Sequence, residues 1–149
     1  MRKSILMVCL GNICRSPLAE GILKNKLPKK NFRVDSAGTS GYHIGKAPDI
    51  RSVEIAAKNG IDISNQKARK FTADDFDRFD KIFAMDRRNL NHIKQMANTM
   101  EDSKKVSLLL GNDQVPDPYY GNKDSFIKIY HIIDRACEEL SDKLQKMYI

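Results

Sequence analysis

Val8-Cys9-Leu10-Gly11-Asn12-Ile13-Cys14-Arg15-Ser16-Pro17 carries this chain from an apolar run into a helical pattern with almost no connection between them. Upstream, Ser4 to Cys9 is short, apolar and ended by a glycine turn, the pattern of a buried strand. Downstream, Ser16 suits an N-cap and Pro17 the first helical position. Leu18, Ile22, Leu23 and Leu27 then follow at helical spacing until Pro28 ends the element. A loop that joins a strand end to a helix start can turn its backbone N–H groups inward as a nest for an anion. The helix dipole adds positive potential at the same point.

Working outward, Phe32 to Ser36 suggests a second strand, and Pro48 opens a helix with Ile50, Val53 and Ala57 on one face and Gly60 at its end. Thr72-Ala73-Asp74-Asp75 has the form of a capping box on a short helical turn. Lys81 to Met85 is a third strand, after which Asp86 caps a helix carrying Leu90, Ile93 and Ala97. Lys105 to Leu110 is a fourth strand. Phe126, Ile129, Ile133, Cys137, Leu140 and Leu144 trace one face of a long C-terminal helix. Strand and helix alternate throughout, which predicts an α/β fold: a central four-stranded parallel sheet with helices on both faces. Ligands bind at the carboxyl ends of such strands, and the loop after the first strand sits there.

The chain has 149 residues, a natural size for one domain, and shows no repeat or linker, so residues 1–149 read as a single domain. Its longest apolar stretches are too short to span a bilayer, and Gly11-Asn12 interrupts the run after Met1-Arg2-Lys3 before a secretory signal could form. The expectation is a cytoplasmic monomer without a membrane partner. Three cysteines, Cys9, Cys14 and Cys137, form neither a disulfide scaffold nor a zinc pattern. The net charge of +7 fits a solvated basic surface or attraction of an anionic substrate. Nucleic acid is not expected, because the cations are spread along the chain without interleaved aromatics.

Within the opening loop, Arg15 is placed to grip two phosphate oxygens with its planar fork, which lysine cannot do. Cys9 lies at the mouth of the nest, where a helix start and a neighbouring cation favour a thiolate nucleophile. Ser16 can donate a hydrogen bond to that sulfur, and Asn12 and Gly11 suit a loop needing positive φ. Each residue alone has a plainer explanation: cysteine at a strand end as inert core, Asn and Gly as an ordinary turn. The combination of strand, cysteine, glycine loop, Arg-Ser-Pro and amphipathic helix is what points to a phosphate site.

These residues resemble the signature of the low-molecular-weight protein tyrosine phosphatases. Val34-Asp35-Ser36-Ala37-Gly38, Gly45-Lys46-Ala47-Pro48-Asp49, Lys67-Ala68-Arg69, Ala84-Met85-Asp86 and Asp117-Pro118-Tyr119-Tyr120-Gly121 extend the likeness nearly end to end. The resemblance implies Cys9 as nucleophile, Arg15 as phosphate clamp and Asp117 as general acid, with no metal or organic cofactor and a tyrosine-phosphorylated protein as substrate. It implies a phosphate loop of Leu10, Gly11, Asn12, Ile13, Cys14 and Ser16, with Ser36 bracing Asn12. It also implies pocket walls of Ile13, Tyr42, Tyr119 and Tyr120, and a buried acid at Asp86, whose residue type suits a helix cap equally well.

Pro116 and Pro118 stiffen the chain around Asp117, although Pro-Asp-Pro also suits a plain surface turn. Gln66 departs from relatives that carry histidine before Lys-Ala-Arg. Three rivals share parts of this pattern: a protein-arginine phosphatase, in which threonine replaces Ile13; an arsenate reductase, which needs two further cysteines; and a non-catalytic phosphate-binding module. Cys14, five residues after Cys9, either packs under the loop or closes a protective disulfide with it.

Overall fold

The computed structural model describes residues 2–149; Met1, part of the expected domain range, lies outside the described residues. Four strands form one sheet: β1 (Lys3–Cys9), β2 (Phe32–Gly38), β3 (Lys81–Ala84) and β4 (Val106–Leu108). All pair in parallel, as the alternation predicts, and the structure sets them in the order β2-β1-β3-β4. The described residues also form six helices: α1 (Arg15–Lys26), α2 (Ile50–Lys58), α3 (Asp75–Arg78), α4 (Arg87–Gln95), α5 (Met100–Lys104) and α6 (Lys123–Tyr148).

The continuous apolar run of β1 is explained by burial on both faces. Ile5 and Met7 join one core beneath α1, α2 and α6, while Leu6 and Val8 point into a second core beneath α3 and α4. Ile5, Leu6, Met7 and Val8 have no exposed surface, and burying each such side chain stabilises the fold by about 1.5–3 kcal/mol. The chain leaves β1 towards β2 on one side and later returns to β3 on the other. The carboxyl ends of β1 and β3 therefore flank the topological switch point, where an open α/β sheet forms its binding crevice.

Several local expectations need correction. Helix α1 starts at Arg15, with Cys14 as N-cap and no side-chain capping bond, so Ser16 lies inside the first turn. Ser16 is fully buried, and its hydroxyl is committed to Cys9 and Asn12 instead. Helix α2 starts at Ile50 behind Asp49, and its inward face is Ser52, Ile55 and Ala56. Ile50 is 65% exposed and Ala57 also faces outward, because the packing of α2 on α6 turns the face by about one position. The short helix α5 lies in a segment with no apolar periodicity; Thr99 caps it by accepting from the Asp102 amide at 3.0 Å.

Candidate active site

The loop between β1 and α1 is shaped by the strand beside it. Thr39 and Ser40 donate their amides to the carbonyls of Cys9 and Leu10, both at 2.9 Å, which holds the loop against the end of β2. Gly38 makes this approach possible, since a Cβ there would lie 2.8 Å from the Leu10 carbonyl oxygen and 3.1 Å from the Asn12 nitrogen. Asn12 takes the left-handed conformation, at φ 58°. Gly11 does not, contrary to expectation; its missing side chain leaves room for the His43 ring, 2.9 Å from where a Cβ would sit.

Cys9 is 3% exposed at the bottom of this loop. Its Sγ accepts from the Asn12 amide at 3.3 Å and lies 3.0 Å from Ser16 Oγ. Asn12 Oδ1 accepts from the Arg69 amide at 3.0 Å, which fixes the orientation of the side-chain amide. Asn12 Nδ2 must then donate to Ser16 Oγ at 2.8 Å and to Ser36 Oγ at 3.0 Å. Ser16 Oγ thus accepts a hydrogen bond from Asn12 and has its own hydrogen free to donate to the sulfur. Ser36 Oγ in turn donates a hydrogen bond to Glu20 Oε1 at 2.6 Å. The amides of Gly11, Ile13, Cys14 and Arg15 find no acceptor among the described residues, and all four residues line the pocket that holds Cys9.

Arg15 is 2% exposed and ordered from behind: Nη1 donates to Asp86 Oδ2 at 2.7 Å and to the Val115 carbonyl at 2.9 Å. Burial opposes its charge, but the attraction of Cys9, the hydrogen bond to Asp86 and the nearby Asp117 together raise its pKa above the ordinary arginine value. Asp86 sits just past β3 and divides its oxygens. Oδ1 caps α4 through the Asn89 amide at 2.9 Å while Oδ2 holds Arg15, so one side chain is both helix cap and arginine partner, although at 20% exposure it is half-buried and not the buried acid expected.

Asp117 stands over the opposite side, with Oδ2 3.8 Å from Arg15 Nη2 and Oδ1 accepting from the Tyr119 amide at 3.1 Å. Its loop is clamped by Arg51, which donates to the carbonyls of Tyr119 and Gly121, both at 3.0 Å, and is held by Asp49. The Asp49 amide in turn donates to the Ile13 carbonyl at 2.8 Å, tying the two loops together.

These groups meet in a pocket of about 200 Å³. Cys9, Leu10, Gly11, Ile13, Cys14, Arg15 and Asp117 line it, with Tyr42, Tyr119 and Tyr120 at the rim. Ser16, Ser36 and Asn12 lie beneath it and are buried. A larger groove exists elsewhere, but the chemistry converges here. Among the described residues no cluster of three or more His, Cys, Asp or Glu is arranged to hold a metal ion. Cys14 is a free thiol whose pKa is pushed well up by burial, then by Asp49, Cys9 and Asp117, against the pull of Arg51.

Sequence reasoning missed Glu20, His43, Arg51 and the Val115 carbonyl. Only Glu20 left a trace, being one helical turn after Ser16 on the same face. Gln66 donates from Nε2 to the Pro17 carbonyl at 3.1 Å and so braces the start of α1. Burial raises the Glu20 pKa above that of an ordinary glutamate, offset in part by the Ser36 hydrogen bond and by Lys24. The native state therefore holds this proton more tightly than the unfolded chain, and stability falls as pH rises through that interval. Glu20→Gln keeps an acceptor for Ser36 without the buried charge. Its Tm relative to the parent is expected to climb from pH 4 towards neutrality; a constant difference would show that Glu20 does not titrate there.

A cysteine beneath an anion cradle, with an arginine alongside and a carboxyl group above, on a parallel α/β sheet, is the layout of the cysteine-dependent phosphatases. The family model for low molecular weight phosphotyrosine protein phosphatase matches residues 4–148. The phosphatase of that name from Gallus gallus is 42% identical, covering 95% of each chain. The fold superposes on the crystal structure of a protein tyrosine phosphatase from Entamoeba histolytica with a TM-score of 0.92 and 33% identity, covering 99% of each chain. It also superposes on Wzb of Vibrio vulnificus, solved in complex with benzylphosphonate, with a TM-score of 0.88 and 32% identity over 96% of this chain and 99% of that one. The chain belongs to the low molecular weight phosphotyrosine protein phosphatase family.

Proposed function

We propose that this protein hydrolyses phosphotyrosine in protein substrates through a cysteinyl-phosphate intermediate. The observation that carries the reading is the convergence of Cys9 Sγ, four unpartnered loop amides, Arg15 and Asp117 on one small pocket. The Cys9 thiolate attacks phosphorus as the ester P–O bond breaks, and Asp117 Oδ2 gives its proton to the departing phenol oxygen. Because Arg15 Nη1 is committed to Asp86 and Val115, its Nε–Nη2 edge is the one that meets the phosphoryl oxygens. In the second step Asp117 takes a proton from water, water oxygen bonds to phosphorus and the S–P bond breaks. Ser16 and the Asn12 amide stabilise the sulfur that leaves.

Selection of a phenyl ester over a phosphoguanidinium rests on the apolar Ile13 and on the tyrosines at the rim. Arsenate reduction lacks its relay: Cys137 is fully buried in the core, where desolvation pushes its thiol up to about 12. A panel of phosphotyrosine, phosphoserine and phosphoarginine peptides tests the assignment. Phosphotyrosine is expected to turn over fastest, and a preference for phosphoarginine would replace it with the guanidinium reading. Asp117→Asn is expected to lower kcat by roughly 10²–10⁴ on phenyl phosphate and by less on p-nitrophenyl phosphate, whose leaving group needs no proton. Equal losses on the two substrates would remove Asp117 as the acid.

A further inference from the structure

A groove of about 750 Å³ runs between α6 and the β4 edge of the sheet and shares no lining residue with the catalytic pocket. Helix α6 presents two parallel stripes to it. Ile132, Ala136, Leu140 and Leu144 recur every four residues as an apolar strip, with His131, Arg135, Glu139 and Lys143 alongside as a polar one. Leu108 and Leu109 continue the apolar floor from the opposite side.

Cations stand on both walls: Lys128, Arg135 and Lys143 on α6, and Lys81, Lys104 and Lys105 across from them. Glu139 is the one carboxylate in the lining. Among the described residues, none of these six cations lies within salt-bridge distance of a carboxylate. Lys105 alone has a recorded partner, the Phe76 carbonyl. Beside the groove, β4 is the last strand of the sheet and only three residues long.

We propose that this groove docks an acidic peptide segment of a protein partner, its apolar side chains on the half-buried strip of Ile132, Ala136 and Leu140 and its carboxylates between the two cationic walls. A concave trough with charge on facing walls suits a single chain better than a flat membrane surface. The floor offers no exposed aromatic ring on which a base could stack, since Phe83 is 8% exposed. Both charge sign and apolar content are specified by the groove.

This proposal goes beyond the catalytic reading, and its readout needs no turnover, so the two fail separately. The probe is a fluorescein-labelled peptide of alternating glutamate and leucine, titrated with the whole protein and followed by anisotropy. Binding is expected, weakening as salt is raised, and it should be equal for the parent and for Cys9→Ser. Lys128→Glu, Arg135→Glu and Lys143→Glu combined, all at exposed helix positions, should weaken it at least about tenfold while turnover of p-nitrophenyl phosphate stays unchanged. A milder glutamine triple at the same positions should fall between. The proposal is overturned if the reversed-charge protein binds within twofold of the parent, or if a glutamine–leucine peptide binds equally well. Displacement of the acidic peptide from the groove by phosphatidylserine vesicles or single-stranded DNA would reassign the surface to those partners.

Discussion

Cys9→Ser is expected to abolish turnover, with kcat falling on the order of 10⁵–10⁶-fold, while inorganic phosphate continues to bind. The two outcomes separate because they depend on different atoms. Binding draws on the loop amides and Arg15, none of which changes. Attack draws on a sulfur that needs no base at the moment of reaction. A serine hydroxyl in the same place would need one, and the polar neighbours of Sγ are the Asn12 amide and the Ser16 hydroxyl, neither of which accepts protons readily. Turnover of p-nitrophenyl phosphate and calorimetric titration with phosphate read the two halves. Residual activity within about a hundredfold of the parent would move the nucleophile elsewhere. Lost phosphate affinity would mean that the sulfur itself helps to hold the loop open.

Arg15→Lys preserves the charge and should still cost roughly 10³–10⁵ in kcat/KM, the scale on which a transition-state arginine acts. An ammonium group is a compact point charge that cannot hold Asp86 and Val115 with one nitrogen while presenting a flat edge to two phosphoryl oxygens. The loss should fall mainly on kcat, since charge spreads over the equatorial oxygens only as the ester bond breaks. A lysine variant within tenfold of the parent would reduce the role of Arg15 to that of a positive charge.

Much of this was legible from sequence because the informative residues are contiguous. A single decapeptide carries the strand end, the anion loop and the helix start. The parallel sheet follows from the alternation of strands and helices, and the site follows from the rule that such sheets bind ligands at the carboxyl ends of their strands; the order β2-β1-β3-β4 came only with the structure. What escaped is what arrives from a distance. The Val115 carbonyl that steers Arg15 is 100 residues away and has no side-chain signature. Glu20 looks like an ordinary helical glutamate until Ser36, 16 residues on, is brought against it. Arg51 clamps a loop 68–70 residues downstream. Ser16 is no helix cap for a different reason: its buried hydroxyl already accepts from Asn12 and faces the Cys9 sulfur, so it does not accept from the first amides of α1, and local propensity gives way to those tertiary contacts.

The central place of β1 sets how the protein would lose its chemistry. Cys9 ends a strand paired along its length to β2 and hydrogen-bonded to β3 on the other side, with side chains packed above and below. Fraying cannot reach it: exchanging the last amides of this strand requires dismantling both layers, so its opening energy is that of the whole molecule. Asp117, on a rim loop and 43% exposed, is held by far fewer contacts. Under gentle denaturation the acid should let go first, leaving a molecule that still cradles anions over an intact sulfur but no longer protonates what departs.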